Sequence, residues 1–349
     1  MGLKIVFAIV LLFTSVAVYL CSEWDLKLGT IALEDVYSSD VISTRWLLVW
    51  RLFAGCIIWS SLIHIFFDPV GLRLKLLSGQ DDELVDVHLV GIWRFSPFTV
   101  WCWTLQGSYF AVTSICGLAH EFVPHVFQRD LFFMHRHANE IASTAWVMFE
   151  ISFAMAFLVT FMVTFVLIPG SVKRGIPIQK FYAFLPLLMH NMNVANMAIE
   201  LFINKFTFEK SHVLFAFFFA DIYSVFAIML HKMKGFLFYF FLDYNKPLVW
   251  SVWLIILISV FSCFFMLGYF LNKVVYEGYL TNGMDGYESV PLYLFLALTL
   301  FIMKFPEREH LHIAYNDCFY YVNKAFTARR AGGRFGRAKG KKKKVLRLN

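Results

Sequence analysis

From Trp146 to Ile168 the chain carries one charged side chain, Glu150, and apolar runs of this kind recur along its length. About 20 apolar residues carry a helix across ~30 Å of hydrocarbon, so a chain built from such runs has few folds open to it. Segments that meet or approach that length lie at 3–21, 46–67, 98–118, 146–168, 182–203, 213–231 and 249–272, with a shorter one at 290–305. Hydrophobic residues make up 59% of the 349 and charged residues 16%, well outside the balance of a soluble domain. The expectation is an all-α, polytopic transmembrane helical bundle of seven to eight spans.

The first segment begins after Lys4 as a signal peptide would, but VAVYLCSEW offers a poor small-residue cleavage site. It reads as an uncleaved anchor. With eight spans, Lys4, the Arg73/Lys75/Arg94 loop, the Lys173/Arg174/Lys180 loop, the Lys232/Lys234/Lys246 loop and the C-terminal tail share one side. That is the cytoplasmic side by the preference of Lys and Arg for short cytoplasmic loops. From Lys324 to Asn349 there are eleven Lys or Arg and no acid, a pattern that reads as a disordered tail facing anionic lipid headgroups. Nucleic acid is not needed to account for it. The division expected is an N-terminal span and loop at 1–45, a transmembrane core at 46–272, an extra span with an amphipathic segment at 273–323, and the basic tail at 324–349.

Polar residues inside a span cost free energy unless they face the bundle interior and find partners. In LLMHNMNVANMAIELF, residues 187–202, His190, Asn193, Met197 and Glu200 stand at i, i+3, i+7 and i+10, one stripe of an α-helix. In FTVWCWTLQGSYFAVT, Thr99, Trp103, Gln106, Phe110 and Thr113 form another. Both segments run the same way through the bundle, and counting residues from their starts puts Thr99 and His190 within ~5 Å of one level. A threonine hydroxyl becomes a nucleophile when a base takes its proton, and an imidazole suits that task. Gln106, Asn193 and Asn196 would offer N–H donors to an oxyanion, and Glu200 would orient the assembly. The competing reading is structural: Thr in a membrane helix bonds its own i−4 carbonyl, and His, Asn and Glu join helices to one another. Thr104 is a second hydroxyl nearby.

Arg51, Glu150, Asp221 and His231 are the other ionisable residues inside spans, and Arg51 with Glu150 is one candidate ion pair. His120, His125, His135 and His137 lack the spacing of a zinc site, so no metal or other cofactor is expected. The cysteines (Cys21, Cys56, Cys102, Cys116, Cys263 and Cys318) fall mostly in apolar runs without paired spacing.

FTVWCWTLQGSYF, MHNMNVANMAIELF and LHKMKGFLFYFFLDY, taken in order, resemble the androgen-induced protein family over roughly residues 46 to 272. Thr99 and Gln106 keep the family's seven-residue gap; Met189, His190 and Glu200 keep its histidine-to-glutamate spacing of ten. The resemblance implies a core of about six spans and a cofactor-independent threonine hydrolase of fatty acid esters of hydroxy fatty acids, with Thr99 as nucleophile and His190 as base. It implies membrane lipid as surroundings, a lipid ester as substrate, and residence in an internal membrane such as the endoplasmic reticulum or in the plasma membrane. The N-terminal span, the loop with GQDDELVDV and the C-terminal residues depart from the family pattern. A transporter or channel, a non-catalytic scaffold and an acyltransferase remain as alternatives.

Overall fold

The computed structural model describes residues 25–78, 84–124, 133–282, 289–305 and 346–348. The segment expected to span at 3–21, His125 and most of the basic tail lie outside the described residues.

The chain is mostly helical. Helix α1 is Leu33–Tyr37, α2 Thr44–Phe67, α3 Phe98–Phe122, α4 Ala138–Met162, α5 Asn193–Ile203, α6 Val213–Lys234, α7 Pro247–Asn282 and α8 Ser289–Ile302. Among the described residues, four stretches are long and apolar enough to cross a membrane: Thr44–Phe67, Ala138–Lys173, Lys210–Lys234 and Pro247–Val274. The segments expected at 98–118 and 290–305 are helical as well. The one expected at 182–203 is interrupted: a short helix Phe184–Leu187 enters a π-helical turn, Leu188–Met192, before α5 begins. A second π-helical turn, Val163–Leu167, follows α4 and leads into Ile168–Lys173. There Pro169 brings no N–H to the preceding carbonyls, and the wider turn accommodates the loss.

Side-chain bonds fix how the helices run. Trp59 donates to the Gly107 carbonyl at 3.0 Å and Trp103 to Ser61 Oγ at 2.8 Å, which sets α2 antiparallel to α3. Gly107 permits this closeness: a Cβ there would lie 2.7 Å from Ile58 Cγ2. Gln106 Nε2 donates to the Asn193 carbonyl at 2.9 Å, and Tyr109 donates to Glu200 Oε1 at 2.7 Å. Ascending pairs on both helices make α3 and α5 parallel, as the sequence suggested. Helix α4 lies at the centre, with Phe149, Phe153 and Phe157 fully buried.

The expected all-α fold is corrected by a four-stranded sheet in the order β3-β1-β2-β4, where β1 is Leu72–Ser78, β2 Leu84–Leu89, β3 Phe236–Leu237 and β4 Leu346–Leu348. The flanks of the supposed loop alternate apolar and polar residues, and pairing sets Leu72, Leu74 and Leu76 opposite Leu89, Val87 and Val85. One face therefore packs on Leu230 and Phe236. Strand β4 pairs in parallel with β2.

At the opposite end of the bundle, residues 25–43 form a cap. Gly29 N donates to Ser143 Oγ at 2.8 Å, Lys27 pairs with Glu209 at 2.6 Å and Lys205 with Asp40 at 3.0 Å. Below it the buried Glu150 accepts from the Glu209 amide and meets His212 Nδ1 at 2.5 Å, while His212 Nε2 reaches the Leu26 carbonyl at 2.7 Å. Glu150 thus pairs with His212 and not with Arg51.

Candidate functional site

A cavity of about 330 Å³ opens where the first turn of α3 meets α4, α6, α7 and the segment after β3. Its walls are mostly apolar, Met155, Val159, Phe217 and Phe261 among them, and its polar groups are Thr99, Asp221, Tyr223, Ser224 and Tyr239. Size and lining suit a hydrocarbon ligand carrying one polar group.

Thr99 is the second residue of α3, in the turn whose amides have no carbonyl of their own helix to bond. The Tyr239 hydroxyl takes that position: it accepts the Phe98 N–H at 3.1 Å and bonds the Thr99 side chain. Burial pushes the Tyr239 phenol up to about 12, against the downward pull of its Phe98 and Thr99 bonds, so it stays protonated at neutral pH. Sequence reasoning missed Tyr239. The signal was present in GFLFYFFLDY, an aromatic stretch too short to span, but nothing in it foretold contact with a helix start far earlier in the chain.

His190 is buried in the π-helical turn Leu188–Met192 and is not among the cavity's lining residues. Its carbonyl accepts from Thr160 Oγ1 at 2.6 Å, and Lys304 Nζ lies 3.4 Å from its Nδ1. Lys304 is held in turn by the Phe181 carbonyl, and its backbone N–H and carbonyl pair with the Asn191 side-chain amide. Thr99 stands seven residues before Gln106, and His190 three before Asn193, so the Gln106–Asn193 bond puts them about 6 Å apart along the bundle axis. The π turn also carries His190 out of strict α-helical register with Asn193, Met197 and Glu200.

The four residues read as supporting groups are all buried and lie between α3 and α5, away from the cavity lining. Gln106 Nε2 is engaged by Asn193, as given above, and Glu200 is engaged by Arg51. Arg51 Nε donates to Glu200 Oε1 at 2.6 Å, while its other nitrogens reach the Val36 carbonyl and, at 3.3 Å, the Tyr109 hydroxyl. Glu200 therefore ties α1, α2, α3 and α5 together at a distance from Thr99. Thr104 Oγ1 donates to the Val100 carbonyl at 2.8 Å, the ordinary state of a threonine within a helix. Among the described residues there is no cluster of metal-ligating side chains.

Comparison of the chain with protein-family models, curated proteins and solved structures finds no match.

Proposed function

We propose that this chain is an intramembrane hydrolase of lipid esters, with Thr99 as nucleophile and His190 as its base. The observation that carries the reading is the placing of Thr99: a hydroxyl in the wall of a mostly apolar cavity, beside first-turn amides that bond no carbonyl of their own helix. An acyl chain fills the cavity, and the ester carbonyl oxygen takes the place now held by the Tyr239 hydroxyl, receiving the Phe98 N–H as negative charge develops. Thr99 Oγ1 attacks the carbonyl carbon, its proton passes to His190, and the alcohol leaves with that proton. Water then splits the acyl-threonine with His190 serving again. The reading requires His190 to come within hydrogen-bond reach of Thr99, directly or through one water, when substrate is bound.

The motif resemblance to the androgen-induced family supports the same two residues, and a fatty acid ester of a hydroxy fatty acid is the substrate to try first. In this proposal the chain crosses the bilayer seven or eight times, the described passes alternating in direction from α2 to α8. Thr99 then lies toward the side that holds the basic loops.

The test compares purified wild type, Thr99→Ala and His190→Ala, matched by thermal melt, for release of free fatty acid from such an ester. Loss of turnover in both variants with unchanged melting supports the reading. Equal turnover in all three refutes it and leaves the transport and scaffold readings.

A further inference from the structure

The cavity holds an ester well but offers water few partners, since apart from Thr99, Asp221, Tyr223, Ser224 and Tyr239 its lining is apolar, and apolar space stays dry. Hydrolysis needs a second supply. Between α3 and α5 lie five buried polar atoms with no hydrogen-bond partner among the described residues: Gln106 Oε1, Asn193 Nδ2, Asn196 Nδ2 and Oδ1, and Glu200 Oε2. All four residues are 0% or 1% exposed. Unmet polar atoms in a protein interior are uncommon and costly, and in hydrocarbon nothing outside the protein relieves them. Exchanging O and N of Asn196 leaves both its atoms unmet, so the feature does not depend on the amide's assignment.

Asn193, Asn196 and Glu200 stand at i, i+3 and i+7 on α5, one stripe of the helix. Gln106 is held to α5 at Asn193 and Tyr109 to Glu200, which brackets Asn196 between two fixed contacts. Positions three or four apart on α5 set neighbouring Cβ atoms about 5–6 Å from each other, a gap one water fills with a hydrogen bond to each side. The set contains N–H donors as well as oxygen acceptors. A bare cation would take the oxygens alone, and the negative charge of Glu200 is already met by Arg51 at 2.6 Å. Water serves both kinds of atom.

We propose that the strip from Gln106 to Glu200 binds a short file of water molecules, and that this file, passing His190 one turn before Asn193, supplies the water that releases the acyl group. The second half of this inference rests on the proposed hydrolase. In that step the water oxygen bonds the acyl carbon while its proton moves to His190. The bond from that carbon to Thr99 Oγ1 breaks, and His190 returns the proton to Oγ1, leaving free acid and intact enzyme.

Met197 reports on the strip, being fully buried and one turn beyond Asn193. The full chain in lipid nanodiscs is exposed to a synchrotron pulse that makes hydroxyl radicals from bound water, and methionine oxidation is read by mass spectrometry. Met155, which is buried and lines the apolar cavity, is the comparison. Oxidation of Met197 without oxidation of Met155 is the expected result, with a fall of at least about tenfold at Met197 in Asn196→Leu, where a water loses its hydrogen bonds. An unlabelled Met197 in wild type overturns the site, and labelling of Met155 overturns the claim that the cavity is dry. Kinetically, Asn196→Leu keeps the burst of alcohol release but slows steady turnover at least about tenfold on the same basis. Unchanged turnover in a variant that has lost Met197 labelling overturns the supply role. If wild type hydrolyses no ester while Met197 is labelled, the hydrolase reading fails and the water site stands.

Discussion

The buried Arg51–Glu200 pair makes a quantitative prediction. Arg51 is 1% exposed and Glu200 0%, so removing either partner strands a charge in the protein interior. Breaking such a pair from one side costs about 3–5 kcal/mol, whereas replacing both by apolar side chains of similar volume is close to neutral. In this network the double replacement also leaves the Val36 carbonyl without Arg51 and the Tyr109 hydroxyl without Glu200, each worth about 1–3 kcal/mol if left unmet. Arg51→Met and Glu200→Leu are therefore each expected to destabilise by about 3–5 kcal/mol. The double variant, at about 2–6 kcal/mol from those two unmet groups, should lose less than the roughly 6–10 kcal/mol of independent sites, giving a coupling of about 4 kcal/mol at the middle of both ranges. Equilibrium unfolding in mixed micelles, followed by tryptophan fluorescence, measures all four corners of the cycle. Additivity within about 0.5 kcal/mol would refute the argument that the two charges hold each other in the interior.

Other outcomes follow from single contacts. Gly107→Val forces the new side chain into Ile58 and should cost about 1–3 kcal/mol by the same unfolding assay. Gly268→Ala meets the rings of Phe208 and Phe153 at 2.6–2.8 Å and should destabilise comparably, with relief by Phe208→Leu. Ala220→Phe fills part of the cavity beside Thr99, and should weaken binding of a pyrene-labelled ester to Thr99→Ala protein about tenfold in a fluorescence titration. Lys205 is raised above its ordinary 10.5 chiefly by its hydrogen bond to Asp40. The stabilisation from that pair is complete below pH 10.5 and fades as pH rises through the folded value, a small effect because the pair is partly exposed. The alkaline limb of a melting-temperature profile should flatten in Asp40→Asn.

The helices were largely legible because hydrocarbon imposes one simple rule, and runs such as Trp146–Ile168 obey it without ambiguity. The parallel run of α3 and α5, and the near-common level of Thr99 and His190, followed from counting residues. What escaped depends on partners distant in the chain. Leu72–Ser78 alternates over too few residues to announce a strand, and it is one because Leu84–Leu89 lies opposite and Leu230 and Phe236 accept its apolar face. A π-helical turn leaves no mark on hydrophobic periodicity, so His190 appeared to share a strict stripe with Asn193 and Glu200. The partner of Arg51 could not be chosen from sequence, since Glu150 and Glu200 are both carboxylates in spans. The fold decides by giving Glu150 an imidazole and an amide. The Tyr239 hydroxyl at the start of α3 has the same origin: its contact joins residues separated by four helical passes.

The sheet has a practical consequence for handling the protein. Strand β4 occupies one edge and β3 the other, with β1 and β2 between them. Two residues past β3 is Tyr239, whose ring walls the cavity. An affinity tag or fluorescent fusion joined after β4 therefore hangs from a hydrogen-bonded platform that also carries a wall of the cavity. Labels meant to leave that chamber undisturbed belong elsewhere, and the surface between α1 and α2, at the far end of the bundle, is a better attachment point.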